Sequence, residues 1–272
     1  MADTQEDDLP QATALNAADF LRMVADLAGT PVSKVISRAN VKTYFDTLYE
    51  PIGGGGTGWQ TVTETWTRTG NHSYTVATDL TTKYERDTAV RYKDGGAFEY
   101  GRIISSSYSS PNTTINLLPN TDYLMAAATI TDTAISYQAA PQGFPRSFNF
   151  TPSLTNFTST SATITAKVAM TAGIVNGFVN IVFGASTAFT GVPVLTLPVT
   201  ILTLGATTPI GLVRMKDATG GNAAAGALLS GGQIVAYNAS GTYLVGDPIS
   251  ATVPFTWATN DDINIPFTYF AN

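Results

Sequence analysis

Between Ala139 and Pro152 the chain reads Ala-Ala-Pro-Gln-Gly-Phe-Pro-Arg-Ser-Phe-Asn-Phe-Thr-Pro. Pro141, Pro145 and Pro152 each remove a backbone donor and push the preceding residue toward extended geometry, so no helix runs through this stretch. Phe148 and Phe150 alternate with Asn149 and Thr151, the period of a strand with one buried face. The reading is a stiff connector at 141–145 that leads into the first strand of a β domain spanning 146–272.

Within that domain Ala162–Met170, Ile174–Gly184, Val199–Leu204, Ile210–Lys216, Ala223–Ser230, Gln233–Asn238, Ile249–Trp257 and Asp262–Phe270 read as strands, with turns rich in Gly, Pro and Asn between them. Strands at this spacing imply a β-sandwich or jelly roll. From Pro141 onward the charges are Arg146, Lys167, Arg214 and Lys216 against Asp217, Asp247, Asp261 and Asp262, eight in 132 residues. Ordinary domains carry about 25% charged residues. A neutral, sparsely charged surface lacks the usual protection against association, which favours burial against other copies of the chain.

Residues 59–140 read as a small β domain with strands at Thr61–Thr67, Ser73–Ala77, Ala89–Tyr92, Phe98–Ser105 and Thr113–Leu118. Short helical turns are expected at Asp79–Tyr84 and Asn120–Ala126. Fourteen charges fall in this part, so it is solvated on its own. Residues 53–58, Gly-Gly-Gly-Gly-Thr-Gly, lack the Lys-Ser/Thr of a phosphate loop and read as a flexible linker. Residues 1–8 read as an acidic disordered tail.

Residues 9–52 form an N-terminal unit. Val41, Tyr44, Phe45, Leu48 and Tyr49 recur as one apolar stripe on a helix from about Arg38 to Tyr49, with Ser37 as N-cap and Pro51 as stop. Asp19–Leu27 is ambiguous by periodicity alone. A helix of this length is marginal in water, and a unit of about 40 residues without metal or disulfide seldom folds alone. The stripe is therefore a candidate docking or oligomer interface.

Several short patterns resemble minor tail proteins of tailed bacteriophages, notably of phages infecting actinobacteria. They include Asp19-Phe20-Leu21-Arg22-Met23-Val24, Asn40–Tyr49, Glu64-Thr65-Trp66-Thr67, Gln138–Pro145 running into Phe148–Pro152, Gly177–Gly184 and Thr252–Ile263. The resemblance implies two short strands before the N-terminal helix. It further implies a mainly β virion protein in the phage tail, or on the capsid surface, and a homotrimer. Such a protein docks on other virion proteins through its N-terminal module and presents its C-terminal domain to the host surface, where a glycan is the expected partner.

The residues exclude several chemistries. There is no cysteine, hence no disulfide scaffold or thiolate metal site. Net charge is −6 and no basic stripe collects, which argues against nucleic acid. No run approaches the roughly 20 apolar residues of a membrane span. His72, the only histidine, lies in a turn without a nucleophile elbow and reads as an exposed turn residue. Asp217, Asp247, Asp261 and Asp262 are the carboxylates open to glycosidase chemistry in the C-terminal domain. Asn260-Asp261-Asp262 reads instead as turn chemistry without a bound calcium, and Asp247-Pro248 as the start of a strand. No cofactor, metal or catalytic set is expected. Tyr237, Tyr243 and Trp257 are the candidate host-surface contacts, since each ring has an apolar face and a polar handle.

Overall fold

The structure, a computed structural model, describes strands at 20–25 and 32–37 and the chain over 57–126, 130–202, 205–240 and 243–272. Every regular element among these residues is a β-strand. The chain divides into two compact units, Met1–Gly56 and Thr57–Asn272. In the first, β1 (Phe20–Ala25) and β2 (Val32–Ser37) form an antiparallel hairpin whose register runs from Phe20 opposite Ser37 to Ala25 opposite Val32. These are the two short strands that the resemblance implied. The helix read at Arg38–Tyr49, with Val41, Tyr44, Phe45, Leu48 and Tyr49, lies outside the described residues.

The second unit opens with β3 (Gln60–Thr61), β4 (Thr67–Gly70), β5 (Ser73–Ala77), β6 (Ala89–Asp94), β7 (Phe98–Ser109), β8 (Asn112–Leu117) and β9 (Ile130–Ser136). They form one sheet in the order β3-β9-β6-β7-β8-β5-β4. Its two edges, β3 and β4, are joined by only Val62–Trp66. Five residues span at most about 18 Å, so the sheet must curl until its edges approach. This corrects the single strand read at Thr61–Thr67: the alternation is real, but the segment has to leave one edge and reach the other. Trp66 plugs the roll, stacked on Tyr74 at 4.0 Å, with its Nε1 donating to the Tyr84 hydroxyl at 3.0 Å. Val76, Val90, Ile103, Ile115 and Ile135 close the core around it.

The remaining strands are β10 (Phe148–Asn149), β11 (Ser153–Thr158), β12 (Thr163–Thr171), β13 (Ile174–Val182), β14 (Ala188–Thr196), β15 (Pro209–Lys216), β16 (Ala223–Leu229), β17 (Ile234–Ser240), β18 (Tyr243–Pro248) and β19 (Asp262–Phe270). Eight of them form a sheet in the order β10-β12-β13-β19-β15-β16-β17-β18, while β11 and β14 pair as a separate ribbon. Along β19, Ile263, Ile265, Phe267 and Tyr269 are buried and the residues between them are not, the period-2 signature of one covered face. Gly177 on β13 is required by close packing, because a Cβ there would stand 2.4 Å from the Phe267 ring. Two strands read from sequence are not formed. Val199–Leu204 contributes a single bridge, Ile201 to Ala271, within its described part. Ile249–Trp257 is a turn closed by Ser250 and Val253, and the strand at this edge is β18, one step earlier.

The proline-rich segment lies inside the second unit and is packed from both sides. Pro141–Phe144 is a β-turn closed by Phe144 N–H donating to Pro141 O at 3.0 Å, with Gly143 at φ +80°, as a type II turn demands. Phe144 lies 6.1 Å from both Trp59 and Tyr100 and 5.7 Å from Phe148, and Tyr123 stands 5.4 Å from Tyr100 and 5.9 Å from Phe148. Arg102, only 3% exposed, threads this seam. Its Nη1 and Nη2 donate to Asp87 O and Ala139 O, each at 2.7 Å, and its guanidinium lies 4.5 Å from the Phe144 ring centre. Asp87 in turn accepts from Gly173 N–H, which ties the curled sheet to the larger one.

Arg102→Ala should lower the unfolding free energy by about 3 kcal/mol, since two charge-assisted bonds are lost and two carbonyls stay buried. Arg102→Lys should recover little, because an ammonium does not reproduce the guanidinium fork. Urea unfolding followed by Trp fluorescence measures both; a loss under about 1 kcal/mol for the alanine variant would mean that the seam is held by its rings alone.

Candidate binding site

The hairpin between β4 and β5 carries His72 at its tip. Leu117 N–H donates to His72 O at 2.8 Å and Met125 N–H to Asn71 O at 2.9 Å, so the tip is bound to the end of β8 and to the chain that follows it. That chain, Asn120–Ala126, read from sequence as a helical turn, is a loop of bends. Asn120 organises it: Oδ1 accepts the N–H groups of Asp122 at 3.0 Å and Tyr123 at 2.7 Å, and Nδ2 donates to Leu118 O at 3.1 Å. A buried Asn that satisfies three backbone groups in this way competes successfully with helix formation.

His72 is therefore half-buried rather than an exposed turn residue. Its Nε2 stands 2.7 Å from Asn120 O and 3.1 Å from Asn120 N. With the proton on Nε2 the ring donates to that carbonyl and keeps Nδ1 as an acceptor. Opposite this wall lies the start of the larger β part. Asp122 clasps Asn149, accepting its N–H at 2.6 Å and its side-chain amide at 2.7 Å, and Thr121 N–H donates to Asn149 O at 2.8 Å.

Between the two walls runs a cleft of about 480 Å³. Its apolar surface comes from Pro119, Leu124, Phe150, Leu197 and Pro198. Thr121, Thr151, Ser153 and Thr196 line it as well, and none of its lining residues is charged. Ser153 and Thr196 are cross-strand partners on the β11–β14 ribbon, which sets them side by side. Sequence reading missed this place because it missed both strands of the ribbon. Pro193 sits within β14, and the order Ser-Leu-Thr-Asn-Phe-Thr of β11 is broken by a bulge at Asn156, whose φ is +52°.

The residues singled out from sequence stand elsewhere. Trp257 stacks on Phe183 at 4.8 Å and meets Phe189 and Phe255, while its Nε1 donates to Ser250 O at 2.9 Å. Its ring is committed to an intramolecular aromatic cluster and its polar handle is used. Tyr237, half-buried on β17, packs on Ala227, Leu229 and Val235, and with Asp247, Val253 and Pro254 it borders a hollow of about 340 Å³. The side chain of Tyr243 lies outside the described residues. Tyr237 and Trp257 belong to separate clusters.

The carboxylates named above are engaged as follows. Asp217 accepts Gly220 N–H at 2.6 Å, Thr219 N–H and hydroxyl at 3.0 Å and the Asn222 amide at 3.2 Å. These bonds, that from Gly220 first, hold its carboxyl below the usual range. Asp261, fully buried, accepts Ala218 N–H at 2.9 Å and Ala258 N–H at 2.6 Å, one on each oxygen. Asp262 pairs with Arg214 at 2.6 Å. No group of three or more His, Cys, Asp or Glu placed to hold a metal exists among the described residues.

Because the folded state depresses the proton affinity of Asp217, its stabilising contribution is complete at neutral pH and is lost as the pH falls through about 4 and below. Asp217→Asn should therefore flatten the acid limb of a stability-against-pH curve below about pH 4 and leave its shape near pH 7 unchanged. Asp261→Ala should cost about 2 kcal/mol by orphaning two N–H donors. Millimolar calcium should leave the parent Tm where it was, because both Asp261 oxygens already face donors; a calcium-dependent rise in Tm would show otherwise. No protein-family model, no curated protein and no solved structure matches the chain.

Proposed function

We propose that the chain is a non-enzymatic structural protein of a tailed-phage virion, a minor tail or fibre protein. In this reading residues 9–52 are a strand-strand-helix module that docks the chain on other virion proteins. The C-terminal part is a β-sandwich of jelly-roll kind, presented to the host surface, and the assembly is a homotrimer. The observation that carries the reading is the set of short sequence patterns, spread from Asp19 to Ile263, that resemble tail proteins.

Two structural features support its parts. Asp217 and Asp261 accept backbone N–H groups and Asp262 pairs with Arg214, so these carboxylates are engaged within the fold. On the face of the larger sheet turned away from its main core, Leu212 is 66% exposed, opposite Ala227, and Phe270 is 59% exposed, opposite Ile174. Large apolar side chains held in water on a sparsely charged surface favour contact with further copies. A fibre or decoration protein on the capsid, built from the same parts, is the second reading, and it differs only in location.

Antibody labelling of intact particles decides between them. Gold at the tail tip or fibres is the expected result, labelling of the head transfers the proposal to the capsid, and absence of the chain from purified particles overturns it. In parallel, host surface polysaccharide incubated with the parent and with Asn variants of Asp217, Asp247, Asp261 and Asp262 should keep its length throughout. Shortening by the parent that one variant abolishes would make the protein an enzyme.

A further inference from the structure

We infer that the cleft between the His72 hairpin tip and the β11–β14 ribbon is a binding site for a neutral carbohydrate ring. The inference extends the host-contact part of the proposed function, yet it stands on the cleft alone. Its volume of about 480 Å³ falls in the range of about 300–1,000 Å³ typical of small-ligand sites. Its lining narrows the ligand by elimination. Without a charged residue there is nothing to repay the desolvation of a phosphate, a sulfate or a uronic acid. Its lining is mainly apolar but carries four hydroxyl side chains, a combination that suits a guest with both C–H surface and hydroxyl groups.

The hydroxyls of Thr121, Thr151, Ser153 and Thr196 make no hydrogen bond to the protein among the described residues, although hydroxyls elsewhere, such as those of Thr69, Thr113, Ser161 and Thr187, do. Each is both donor and acceptor, as is every sugar hydroxyl, so pairing needs no fixed polarity. Leu124, 40% exposed, together with Leu197 and Pro198, offers apolar surface to the C–H face of a pyranose. His72 lines the wall beside them.

Both walls are fixed in advance. The His72–Asn120 contact at 2.7 Å holds one, and the Asp122–Asn149 clasp at 2.6 and 2.7 Å binds that wall to the other. Ordering costs are thus met by folding rather than by the ligand. With hydroxyl pairs that contribute modestly and Phe150 only 8% exposed, the expected dissociation constant is on the order of a millimolar, an affinity that several copies on one particle would multiply.

The single histidine makes the test specific, since its Cε1–H resonance reports on this wall and on no other place. The full chain is titrated with the methyl glycosides of glucose, galactose, mannose and N-acetylglucosamine, with glucuronate, and with a proline-rich decapeptide. At least one neutral glycoside should move the His72 resonance with saturation in the millimolar range, and glucuronate should do so more weakly. Thr151→Val and Thr196→Val preserve shape and should each weaken that binding about threefold to tenfold, whereas Tyr237→Phe should leave it unchanged. A His72 resonance unmoved by every neutral glycoside overturns the inference. So does affinity unaltered in both valine variants, or a response to the peptide alone. Because the titration uses purified chain, its result is independent of where the protein sits in a particle.

Discussion

The unit from Thr57 to Asn272 depends on a cation buried without a carboxylate bonded to it. Burial pulls Arg102 below its ordinary pKa, and the charge of Asp87 opposes that shift. What keeps a guanidinium in such a place is its geometry: two carbonyls, Asp87 O and Ala139 O, and the face of Phe144 satisfy it from different directions. Since Ala139 and Phe144 belong to the proline-rich segment and Asp87 reaches on to Gly173, one side chain fixes three pieces of chain at once. The aromatic rings from Trp59 to Phe148 then fill the space that this arrangement leaves.

This explains why the proline segment was informative and in what respect it was incomplete. Its prolines excluded helix, and the Phe148/Phe150 alternation marked the start of a strand, both properties of local geometry. What local geometry does not contain is the partner of Phe144, whose contacts are Trp59, 85 residues earlier, and Tyr100, 44 residues earlier. A stiff connector and a packed seam have the same sequence signature when the aromatics that complete the seam are supplied from far away.

The strands divide in the same way. Those joined by tight turns, such as β12 and β13 or β15 and β16, were legible because Gly and Asn in the turns and the alternation along each strand agree. Strands paired at long range were missed or misplaced. β9 carries a bulge near Asp132, at φ +49°, that breaks its alternation, and β14 contains Pro193. The reading of Val62–Trp66 failed for a topological reason, because alternation tells which face a side chain takes and not whether a neighbouring strand is there to pair.

The same limit governs the site. Aromatic content drew attention to Trp257, a half-buried ring that stacks on Phe183 and meets Phe189, contacts that local sequence does not contain. The cleft, by contrast, is made of residues that carry no signal singly: threonines, a serine, prolines and leucines. It exists because the aromatic seam ends at Tyr123 and Phe148, beyond which the apolar contacts between the two β parts give way to the polar clasp of Asp122 and Asn149. The β11–β14 ribbon packs on the large sheet through Phe189 and Leu195 in a shared core and carries Ser153 and Thr196 to the far side of that gap. A recess therefore forms where two cores meet and neither extends far enough to fill it. Such a recess is a consequence of joining two sheets along a seam held by one arginine and a few rings, and its hydroxyls come from the chain ends that border it.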